Sequence, residues 1–107
     1  MKKLFALLLI LTGTKAFAAD LKSYSVTVKD GKFSPEQITV AKGEKFKLEV
    51  KNDGNAAEEF ESTELNREKI VAAHQTITVL LGPLSEGEYK FFGDFHPDTA
   101  KGKIIVK

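Results

Sequence analysis

From Tyr24 onward the chain alternates apolar and polar residues. Tyr24, Val26 and Val28 are separated by Ser25 and Thr27, the period of a strand with one buried face. Asp30-Gly31 turns the chain, and Phe33-Ser34-Pro35 leads into Ile38 and Val40. Ala41-Lys42-Gly43-Glu44 makes the next turn before Phe46, Leu48 and Val50, which alternate with Lys45, Lys47, Glu49 and Lys51. Asn52-Asp53-Gly54-Asn55 ends this third strand, because Asn, Asp and Gly tolerate the positive φ of tight turns.

Residues 56–75 carry two conflicting signals. Glu64 to Ala73 has helix-forming composition, while Phe60, Ile70 and Val71 suit short strands, so the stretch reads as a long loop with at most one helical turn. Thr76 to Leu81 is a strand, apolar at 77, 79 and 81. Leu84-Ser85-Glu86-Gly87-Glu88-Tyr89 has the Leu-x-x-Gly-x-Tyr order of a tyrosine corner, in which the Tyr hydroxyl returns to the preceding backbone. Lys90-Phe91-Phe92 continues that strand, a loop runs from Gly93 to about Gly102, and Lys103 to Val106 closes the chain. About seven short strands with no long helix predict an all-β fold, a Greek-key antiparallel β-sandwich.

The first residues follow a different pattern. Met1-Lys2-Lys3 is basic, Leu4 to Leu11 is unbroken apolar, and Ala16-Phe17-Ala18 places small residues where a signal peptidase reads. Residues 1–18 therefore read as a cleavable signal peptide, with cleavage after Ala19 the alternative. The apolar run is shorter than the ~20 residues a membrane-spanning helix needs. The mature domain is then 19–107, exported, with the periplasm the expected location. The whole chain of 107 residues has 16 Lys+Arg against 15 Asp+Glu. Losing Lys2, Lys3 and Lys15 makes the remainder slightly acidic, which argues against nucleic acid as a partner. The sequence has no cysteine, which excludes a disulfide framework, a thiolate-bound metal and a catalytic thiol.

Two segments hold polar residues that a sandwich does not require. One is Glu58-Glu59-Phe60-Glu61, with Glu64 and Glu68 nearby; the other is Gly93-Asp94-Phe95-His96-Pro97-Asp98. In an extended segment Glu59 and Glu61 point to one side about 7 Å apart, where two like charges repel by roughly half a kcal/mol in water. A cation would turn that repulsion into attraction. Carboxylates with one imidazole suit Fe, Mn, Zn or Cu(II) better than a soft ion such as Cu(I). A solvated acidic loop accounts for the same residues without a metal. A Greek key can bring the two segments together at one end of the fold. His74 sits in a turn with no similarly spaced partner and reads as an exposed histidine.

These segments, in this order, resemble the cupredoxins. Asn52 to Phe60 looks like the stretch in which an Asn-rich turn leads to the first histidine ligand of copper. Gly87 to His96 looks like the one in which a Gly-x-Tyr strand leads to a cysteine and then a histidine. In this chain the first histidine's place falls on Glu58 or Glu59, the cysteine's on Gly93, and the methionine's near Ala100; only His96 matches. A blue-copper centre needs a thiolate with two imidazoles, so the resemblance implies a cupredoxin without one. Glu59-Phe60-Glu61-Ser62, Gly82-Pro83-Leu84 and Phe91 to Ala100 resemble more specifically the EfeO-type cupredoxin-like domain. That resemblance implies periplasmic iron uptake beside an inner-membrane iron permease, with iron or copper as the bound ion. Carried over by position, the metal ligands are Glu59, Glu61, Asp94 and His96, with Asp94 either a ligand or the group orienting His96.

Three functions follow as expectations: a metal-binding module supporting iron import, a ferroxidase-type enzyme assisting Fe(II) oxidation, and an interaction module whose acidic loop docks a basic partner.

Overall fold

A computed structural model describes residues 21–107; the expected signal peptide lies outside the described residues. Nine strands run in order: β1 Lys22–Lys29, β2 Lys32–Ser34, β3 Gln37–Val40, β4 Phe46–Asn52, β5 Glu58–Ser62, β6 Arg67–Val71, β7 Thr76–Leu81, β8 Gly87–Gly93 and β9 Lys101–Val106. They form two sheets, ordered β2-β1-β4-β7 and β3-β9-β8-β5-β6. The all-β sandwich expected from the alternation is therefore present. None of the described residues forms a helix long and apolar enough to cross a membrane.

Two of the pairings are parallel, β1 with β4 and β3 with β9. Side-chain alternation has the same period in parallel and antiparallel pairs, so the sequence pattern carries no information on this point. The chain crosses to the second sheet as β3 before returning as β4, and that crossing makes β4 run parallel to β1.

The stretch 56–75, expected to be mostly loop, is instead a hairpin of β5 and β6, with Glu59 opposite Ile70 and Glu61 opposite Glu68. Asn66 makes its turn with φ 55°. Tertiary burial overrides helix propensity here: Phe60, Leu65 and Val71 all enter the core.

Inside, Phe33, Phe60 and Phe91 form one aromatic cluster, with Phe91 centred 5.0 Å from Phe33 and 5.2 Å from Phe60. The predicted tyrosine corner also forms, since the Tyr89 hydroxyl donates to the Ser85 carbonyl at 2.9 Å. It fixes the start of β8, the strand that delivers the chain to Gly93 and Asp94.

Candidate metal centre

On β5 the alternation splits the glutamates between two environments. Glu58, Phe60 and Ser62 face inward, while Glu59 and Glu61 face out. How β5 begins is set by Asn52, whose buried amide donates to the carbonyls of Ala56 and Val71 and accepts from the Gly54 N–H. These three bonds hold the 52–57 turn and so decide which glutamate enters the core.

The outward group is the acidic cluster. Gly93 on β8 lies opposite Phe60, and the next N–H, that of Asp94, donates to the Glu59 carbonyl at 2.9 Å. This brings Asp94 beside Glu59 and Glu61, and one carboxylate oxygen from each residue lies within 4.8 Å of the other two. Glu68 faces Glu61 across the hairpin. Arg67 does not neutralise them, because its guanidinium donates to the carbonyls of Leu65, Asn66 and Leu80. No ion pair among the described residues includes Glu59, Glu61, Glu68 or Asp94.

Crowding of this kind favours protonation. Partial withdrawal from water, then the charge of Glu68 and then hydrogen bonding to Asp94, push the Glu59 carboxyl up to about 7. Glu61 is raised as well, again by withdrawal from water first and by Glu68 second.

A pH dependence follows for the metal-free protein. A carboxyl whose folded value exceeds its ordinary value of 4.5 binds its proton more tightly when folded. Its contribution to stability is complete below that ordinary value and lost as pH rises through about 7. Melting temperature in the presence of a chelator should therefore fall between pH 5 and pH 8, and Glu59→Gln should flatten that fall. An equal slope in the variant would show that Glu59 is not its source.

The inward group is a different site. Glu58 is 3% exposed. Its Oε1 accepts from the N–H groups of Glu59 at 3.0 Å and Phe95 at 2.9 Å, and its Oε2 lies 2.6 Å from Nδ1 of His96. The imidazole itself is half exposed and packs against Gly31 in the β1–β2 turn. A cleft of about 170 Å³, lined in part by Asp30, Gly31, Asn55 and Ala56, opens onto the pair.

Of the four residues expected to act together, the structure thus gathers Glu59, Glu61 and Asp94 and sets His96 with Glu58. The expected meeting of the two loops occurs. Glu58 could have been read more sharply from the sequence: it shares parity with Phe60, and a buried carboxylate needs a partner. His74 is exposed and bonded through Nε2 to Asn55 at 3.0 Å.

Residues 3–106 match the family described as the Cupredoxin-like domain. The chain belongs to that family. A curated relative from Rickettsia prowazekii (strain Madrid E), the uncharacterized protein RP394, is 51% identical over 81 residues, covering 76% of this chain and 65% of the relative. The chain thus spans a little under two thirds of that protein's length.

Solved structures resemble this cupredoxin-like chain in fold alone. The metal-binding domain of the Streptococcus pneumoniae D39 Cu(I)-exporting P-type ATPase CopA, crystallised with Cu(I), aligns with a TM-score of 0.67 at 16% identity, over 79% of this chain and 84% of that one. Dithionite-reduced auracyanin from Roseiflexus castenholzii aligns at 0.67 and 11% identity, over 80% and 97%. An amicyanin variant with Cu(I) aligns at 0.64 and 17% identity, over 84% and 89%.

A blue-copper ion does not fit this cupredoxin-like chain. It has no cysteine, and the position to which the resemblance assigns the thiolate has no room for a side chain. A Cβ added at Gly93 would lie 2.7 Å from Glu58 Cδ and 2.8 Å from the Ala100 Cβ.

Proposed function

We propose that this protein is an exported, periplasmic metal-binding module that holds iron, with copper the competing ion, on Glu59, Glu61 and Asp94 in support of import by an inner-membrane permease. The observation that carries this reading is the convergence of three carboxylates with which no cation among the described residues forms an ion pair. Three oxygen donors carrying mutual repulsion favour a hard, highly charged cation, which relieves the repulsion and replaces the shared proton. The family match and the copper-containing structural neighbours support metal handling in general. The motifs resembling the EfeO-type domain support iron and the permease partner.

Calorimetric titration of the purified protein with Fe(III), Fe(II) and Cu(II) tests the proposal. One saturable site is expected, with affinity rising as pH passes through 7 because the ion displaces a proton. The double variant Glu59→Ala/Glu61→Ala should lose the site. Unchanged affinity in that variant would overturn the assignment, and tighter binding of Cu(II) than Fe(III) at equal pH would reassign the metal.

A further inference from the structure

Of the positions that the resemblance compares with copper ligands, Glu58 (the alternative to Glu59), Gly93 and His96, with Ala100 near the fourth, lie together around an internal group. Gly93, His96 and Ala100 stand around one point, and the Glu58 carboxylate fills it. Each of its hydrogen bonds closes the place further. Oε1 is occupied by two backbone N–H groups and Oε2 by the imidazole. Whichever of the two holds the proton between them, Nδ1 is engaged by Oε2 at 2.6 Å and is not available to a metal.

We infer that the Glu58 carboxylate replaces the metal ion of the fold, forming with His96 a permanent clasp that excludes cations from the inner position. The clasp ties β5 to the loop after β8, the two segments that metal ligands join in the copper-bearing relatives of the resemblance. To admit a cation, Glu58 must leave, which orphans the N–H groups of Glu59 and Phe95 in a site closed by the contact of Gly93 with Ala100. A further consequence is directional: with the inner position shut, the carboxylate cluster that this end of the protein offers a cation lies on the outward face of β5. The inference itself does not require that face to bind one.

Zn(II) and Cu(II) are the probes. In the wild-type protein, the proton in the His96 Nδ1–Glu58 hydrogen bond should give a downfield resonance that survives one equivalent of Zn(II), whether or not the outward carboxylates shift. Loss of that resonance would overturn the inference, whereas outward carboxylates that fail to shift would count only against the proposed function. Glu58→His removes the clasp and supplies the family's imidazole. It should bind Cu(II) more than about tenfold more tightly than wild type, and the added His96→Ala change should abolish the gain. A folded Glu58→His variant without that gain would show that Glu58 is not what closes the position.

Discussion

Phe60→Ala is expected to remove about 3–5 kcal/mol of folding stability. Phe60 is 0% exposed and stands at the middle of β5, with Phe33 edge-on and Phe91 tilted against it from the two sheets. Truncation loses the transfer free energy of the ring and leaves a cavity that two neighbouring rings, each held by its own strand, cannot collapse into. A domain of this size has about 5–15 kcal/mol in total, so the variant should approach the unfolding threshold. Urea unfolding followed by circular dichroism should show a lower midpoint with an unchanged slope. A loss below about 1 kcal/mol would mean that β5 is not central to the core.

Glu58→Ala is expected to cost about 3 kcal/mol, and His96→Ala about half as much. The asymmetry comes from what each deletion leaves behind. Without the carboxylate, the N–H groups of Glu59 and Phe95 lose their acceptor inside the fold and β5 loses its tie to the loop after β8. Without the imidazole, Glu58 keeps both N–H donors, and the adjacent cleft can admit water to the freed oxygen. Unfolding of the two single variants and the double variant gives the coupling directly. Equal costs, or a greater cost for His96→Ala, would contradict the view that the backbone bonds to Glu58 carry most of the clasp.

Much of the architecture was legible because burial imposes period two on a strand. The alternation through Tyr24 to Val28, Phe46 to Val50 and Ile77 to Leu81 marks the inward faces of β1, β4 and β7, and the Tyr89 corner forms at its expected place. The outward pair Glu59 and Glu61 was legible by the same parity. The β6 strand was not, because Arg67 is half-buried, Glu68-Lys69-Ile70 is exposed and only Val71 is buried; an edge strand with one buried residue shows no period. The role of Glu58 was half legible. Its neighbour-but-one Phe60 places it inside, but its partners lie 37 and 38 residues away at Phe95 and His96.

By itself, then, the sequence determined the class of fold, the faces of the regular strands, the absence of a thiolate and the supply of carboxylates. Each of these is a property of residue type and local period. The tertiary structure decided which strands run parallel, which carboxylates meet, and that His96 belongs with Glu58 while Asp94 joins Glu59 and Glu61. Those outcomes depend on the register between β5 and β8, where a shift of one residue would exchange the inward and outward glutamates. Register is a relation between distant segments, set by packing the Phe60 and Phe91 rings together, and no local pattern contains it.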